Sequence, residues 1–121
     1  MNLTIGKSTV FCLIIFSAVV VMLAGCSGKQ PTITVINQSN VILSNVVASG
    51  SGFTNQIGNI APKAEKKFKV NCSGDSGLRL VFETAGKHID SGEQGYFEGG
   101  EGYRVIAIIN TNLDVSVSSD F

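Results

Sequence analysis

Tryptophan is absent from the 121 residues, histidine occurs once, at His88, and proline twice, at Pro31 and Pro62. Charge is sparse and balanced, with nine lysine and arginine residues against nine aspartate and glutamate residues. These shortages exclude whole classes of function. A zinc site wants three or four His, Cys or carboxylate ligands, and no second histidine exists to help His88. A balanced chain has no global field to draw nucleic acid, which asks for a clearly basic domain. Cysteine is scarce too, at Cys12, Cys26 and Cys72 alone. Beyond residue 31 no apolar period of 3.6 persists, which speaks against packed amphipathic helices.

What is present begins with one apolar run, Val10 to Gly25, 16 residues broken only by Ser17. A spanning helix needs about 20 such residues, with a floor of about 17. A secretory signal needs a shorter apolar stretch of roughly 7–15 residues, a positive charge before it and small residues after it. Lys7 supplies the charge, Ala24 and Gly25 the small residues, and Lys29 alone is too weak a flank to stop transfer. Length and flanks favour a cleaved signal over residues 1–25.

The end of the run, Leu23-Ala24-Gly25-Cys26, resembles the lipobox of bacterial lipoproteins. Small side chains let the backbone lie extended in a peptidase groove, and the cysteine sulfur is the atom that accepts a diacylglyceryl group. The resemblance implies cleavage before Cys26, lipidation of Cys26 and acylation of the freed amine. One acyl chain anchors marginally, whereas two or more hold stably. Ser27 is not the aspartate associated with inner-membrane retention, so the resemblance implies the outer membrane, with the domain facing the periplasm.

Cleavage changes the count. Lys7 and Cys12 leave with the signal, so eight basic residues face nine acidic ones and the mature net charge is −1. Cys72 is then the sole cysteine of the domain, no intrachain disulfide can form, and a buried small apolar role is expected for it. Residues 26–31 make a short tether: the five residues Ser27 to Pro31 reach about 17 Å when extended. Whatever the domain binds is therefore met close to the membrane.

Residues 32–121 read as an all-β domain. Short alternating or β-branched runs recur between Gly, Asn, Ser and Asp: Thr32–Asn37, Val41–Ser49, Gln56–Ile60, Glu65–Val70, Leu78–Thr84, Lys87–Asp90, Tyr103–Ile109 and Val115–Ser118. Seven or eight short strands in 90 residues predict a single small antiparallel β-sandwich, with Tyr103–Ile109, the most apolar run, as a central strand. Residues 33–70 resemble the first half of bacterial immunoglobulin-like surface domains: strand, Asn-x-Ser turn, strand, then Ile57-Gly58-Asn59-Ile60-Ala61-Pro62 before a charged strand. Lys63 stands where that turn usually has glycine, and the immunoglobulin tryptophan and paired cysteines are absent. The likeness implies architecture and no particular activity.

Candidate chemistry is thin. Cys72-Ser73-Gly74-Asp75-Ser76-Gly77-Leu78 resembles the nucleophile segment of trypsin-like proteases without its Gly-Pro. The one histidine follows Ser76, and 90 residues cannot build two barrels, so a Ser/Gly/Asp hairpin loop is expected instead. His88 and Asp90 read as surface strand residues. Glu93, Glu98 and Glu101 do not follow the calcium-loop ladder. No catalytic residue, metal or cofactor is expected.

Recognition is assigned to the glycine-rich stretch Gly92–Arg104, where Tyr96, Phe97, Glu98, Tyr103 and Arg104 are the candidate partner-binding residues. Glycines beside aromatics make adaptable contact loops. Lys63, Lys66, Lys67 and Lys69 gather the opposite sign and read as the guard of an exposed edge strand, with contact to anionic headgroups or saccharides as the other option. The expected function is that of a lipid-anchored, non-enzymatic binding or envelope-interaction module. The alternative is a periplasmic inhibitor or immunity lipoprotein against a hydrolase or toxin. The lysozyme-inhibitor lipoproteins are similar in size and placement, but Ser91-Gly92-Glu93-Gln94-Gly95-Tyr96 has one residue more than their Ser-Gly-x-x-Tyr loop and the paired cysteines are missing.

Overall fold

A computed structural model describes residues 29–121. The signal segment and Cys26 lie outside the described residues.

Among the described residues eight strands form: β1 (Thr32–Asn37), β2 (Leu43–Gly50), β3 (Phe53–Ile60), β4 (Glu65–Lys69), β5 (Asp75–Thr84), β6 (Lys87–Glu98), β7 (Arg104–Ile109) and β8 (Val115–Asp120). They make two four-stranded sheets, ordered β4-β1-β7-β8 and β3-β2-β5-β6. Period-2 alternation turns one face of each strand inward. Ile33 and Val35 of β1, Leu78, Leu80 and Phe82 of β5, and Val105, Ala107 and Ile109 of β7 are buried between the sheets, while Arg79 and Glu83 point to solvent. The chain is a β-sandwich.

Its strand order differs from the immunoglobulin arrangement, in which the first, second, fifth and fourth strands share a sheet. Here β1 joins β4, β7 and β8 while β2 and β5 lie in the other sheet. Pairing is antiparallel except between β1 and β7, which run parallel from Thr32↔Arg104 to Asn37↔Ile109. That parallel contact makes β7 central, as its apolar run predicts.

Two expected boundaries move. Asp75-Ser76-Gly77 begins β5 and is not a hairpin loop. More consequentially, β6 does not stop at Asp90 but continues to Glu98, so the expected Gly92–Arg104 loop is strand for half its length. Gly92 (φ 66°) and Gly95 (φ 75°) have the left-handed backbone of turn residues, yet each sits in a β-bulge. Between the pairs Val81↔Asp90 and Arg79↔Glu93, and again between Leu78↔Gln94 and Ser76↔Phe97, two residues of β6 face one of β5. A bulge with glycine in this conformation keeps the strand going while turning its faces. Side chains take up the ladder groups it displaces: Leu80 N–H donates to Ser91 Oγ (2.8 Å) and Gly77 N–H to Glu93 Oε1 (3.0 Å).

Two poles result. At one lie the start of β1, the β2–β3 turn, residues 70–74, residues 99–103 and Phe121; at the other lie residues 38–42, 61–64, 85–86 and 110–114. The second pole is latched by buried Asn37, whose amide nitrogen lies 2.9–3.1 Å from the carbonyls of Val41, Ile60 and Ala61. Its Oδ1 accepts from Ser39 N–H (3.0 Å), closing the expected Asn-x-Ser turn.

Candidate functional site

The first pole is where the chain enters the described structure. Lys29 bridges to Glu101, its carbonyl accepts from Gly102 N–H (3.1 Å), and Thr32 N–H donates to the Tyr103 carbonyl (2.9 Å). Pro31 is held as well, its carbonyl accepting from Val70 N–H (3.2 Å). Lys29 to Pro31, expected to be tether, are therefore bonded into the folded domain. Only Ser27 and Gly28 separate Cys26 from Lys29.

Beside this entry the end of β6 and the start of β7 bring three aromatic rings together. Tyr96 meets Tyr103 edge-on with centroids 6.5 Å apart, and Tyr103 lies 4.8 Å from Phe121. Tyr96 is 49% exposed and Phe121 82% exposed, so the cluster presents an apolar surface to solvent. Carboxylates rim it. The Tyr96 hydroxyl donates to Glu98 and also reaches Asp75 Oδ1 at 3.3 Å. Its bond to Glu98, with desolvation and the Asp75 charge adding, pushes the Tyr96 pKa well above its ordinary value of 10.0. Partial desolvation, with Glu98 and Glu101 next, raises that of Tyr103. Both rings stay neutral across physiological pH.

The candidate residues thus divide. Tyr96, Glu98 and Tyr103 share one surface. Phe97 is fully buried, its ring 6.3 Å from that of Phe53, because the Gly95 bulge turns Tyr96 outward and Phe97 into the core. It offers nothing to a partner, and Phe97→Ala is a stability lesion of about 3–5 kcal/mol. Arg104 opens β7 with its guanidinium paired to Asp120 (3.0 Å) on the outer face of the β4-β1-β7-β8 sheet. Asp75, Phe121 and Lys29 join the surface without having been singled out. Asp75 was legible only as part of a protease-like string, and nothing in the sequence pattern singled out Phe121.

The remaining motifs have structural roles. Ser76 is buried, receiving Ser51 N–H (2.9 Å) and donating to the Gly77 carbonyl (2.7 Å). Cys72 is half-buried rather than in the core, and desolvation raises its thiol pKa, which keeps the sulfur protonated and weakly nucleophilic. A residue with a side chain at position 99 would put its Cβ 2.2 Å from the Cys72 carbonyl oxygen, so Gly99 lets the chain leaving β6 pass close to this loop. Asp90 pairs with Arg79, whose guanidinium, with the Gly92 N–H, holds the carboxyl well below its ordinary range. His88 is exposed on β6 in an open polar cleft of about 390 Å³ with Ser44 and Glu83 to Lys87. Ser91 to Tyr96, the stretch likened to an inhibitor loop, lies within β6 and does not protrude. Lys66, Lys67 and Lys69 sit on β4, an edge strand, as expected.

No family model matches the sequence, and no curated protein matches it. Among solved structures it is similar to an NMR structure of a protein from Eubacterium rectale, at 18% identity over 77% of this chain and 88% of that one, with a TM-score of 0.49.

Proposed function

We propose that this chain is a bacterial lipoprotein, cleaved before Cys26 and acylated there, whose β-sandwich is a non-enzymatic contact module at the outer membrane, facing the periplasm. The observation that carries the reading is the Leu23-Ala24-Gly25-Cys26 motif standing three residues before the first fixed point of the domain. The contact surface is the aromatic and acidic pole of Tyr96, Glu98, Tyr103, Asp75 and Phe121. It has the exposed rings and fixed polar atoms of a recognition surface.

Fractionation of cells producing the full chain tests the anchor. The native protein partitions with membranes, and Cys26→Ser moves it to the soluble fraction or leaves it uncleaved. A Cys26→Ser protein that is processed and membrane-bound like the native one contradicts the proposal. The contact surface is tested on the same membranes: Tyr96→Ala with Glu98→Ala abolishes crosslinks formed from this pole, and unchanged crosslinks remove the pole from the account.

A further inference from the structure

The position of Lys29 says more about the pole than that it makes contacts. From the Cα of Cys26 to that of Lys29 there are three residue steps, at most about 11 Å of extended chain. The headgroup layer on one side of a bilayer is itself roughly 5–8 Å deep. An acylated Cys26 therefore holds Lys29, Glu101 and Gly102 in the headgroup layer or a few ångströms above it. The opposite pole stands a strand length further out, about 20 Å for the six residues of β1.

We infer that the pole formed by Tyr96, Tyr103 and Phe121 is seated on the membrane itself, and that its ligand is a zwitterionic phospholipid surface. The inference rests on lipidation at Cys26 and names the partner of the surface proposed above. Tyrosine and other aromatic rings with a polar tip favour the headgroup level of a bilayer. Charge selects the kind of lipid. Arg104 and Asp120 neutralise one another on the outer sheet face, and Lys69 lies in the same row. Asp75, Glu98 and Glu101 are left around the rings with Lys29 as the nearby cation. A rim of carboxylates around aromatic faces suits an ammonium group, through charge and cation–π attraction. It repels an anionic headgroup. Lys66 and Lys67 stand further from this pole along β4, and Lys69 lies on the outer sheet face beside the Arg104–Asp120 pair.

The chain is well suited to the test, because its only tyrosines are Tyr96 and Tyr103 and it has no tryptophan. All of its tyrosine emission arises at this pole. The lipidated protein is purified from membranes and reconstituted into phosphatidylcholine vesicles with or without bromine on the upper acyl chain. Bromolipid is expected to lower the emission, because rings at headgroup depth lie next to the upper acyl chain, and aqueous iodide to quench less than it does after detergent extraction. Exchange to phosphatidylglycerol vesicles reduces the bromolipid effect, and so does Phe121→Ser, at a position exposed enough to leave folding intact.

Protein that floats with vesicles while its tyrosines ignore bromolipid overturns the seating and leaves the anchor standing. Equal quenching in anionic vesicles overturns the choice of headgroup. Protein that carries no acyl group on Cys26 by mass fails the anchor, and the seating falls with it.

Discussion

Single residues of this protein carry strain and charge that can be measured apart from any partner. Lys63 occupies the turn position where its resemblance places glycine, and it has φ 65°. A side chain in the left-handed region costs about 1–2 kcal/mol, while glycine forfeits about 0.5–1 kcal/mol through extra freedom in the unfolded chain. The lysine recovers part of its strain through an exposed bond from Nζ to the Gln38 carbonyl (2.6 Å). The balance still favours glycine, so Lys63→Gly is expected to raise Tm by a few degrees in a thermal melt, at about 4–8 °C per kcal/mol for a domain this size. The tyrosines give a second check. Both pKa values are raised in the folded state, so folding keeps these groups protonated. The stability they contribute is fully present below the ordinary value near 10.0 and is lost as pH rises through the folded values. Tyrosinate absorbance of the folded protein should remain low where the denatured chain is half ionised, and Glu98→Gln should bring part of the signal down in pH.

At the scale of elements, alternation in Thr32–Asn37, Leu78–Thr84 and Tyr103–Ile109 was readable because each strand buries one face and shows the other. Strand β6 was not, because bulge glycines and turn glycines have the same composition. What distinguishes them is the partner strand, whose Leu80 and Gly77 N–H groups need Ser91 and Glu93 to replace lost ladder bonds. The same blindness hid the fate of Phe97: adjacent strand residues always face opposite sides, and the one-residue bulge at Gly95 exchanges the faces so that Phe97, and not Tyr96, turns into the core. The parallel β1–β7 pair also escaped local reading, since its partners lie some seventy residues apart. Edge strand β4 was legible from its lysines, and it carries a prediction of its own. Lys67→Thr with Lys69→Thr should leave the fold intact yet promote concentration-dependent self-association in light scattering, because an uncharged edge pairs with its like.

On the scale of the whole molecule, the sandwich is polar in the geometric sense. One end is latched by Asn37, and the other holds the chain entry, the aromatic cluster and an excess of carboxylates. The carboxylate excess is local, in a chain whose overall charge is balanced, so composition could not reveal it. Lys29 joins that end to the motif at Cys26 by two intervening residues, and under the proposed attachment at Cys26 the orientation of the molecule follows from that connection. Attachment at Cys26 is thus the claim on which the rest depends. Intact-mass and peptide analysis of the protein extracted from membranes tests it most directly. The expected product is a mature chain that begins at Cys26 and carries a diacylglyceryl group on its sulfur. A membrane-extracted chain that retains residues 1–25, or that begins elsewhere with an unmodified Cys26, would contradict it.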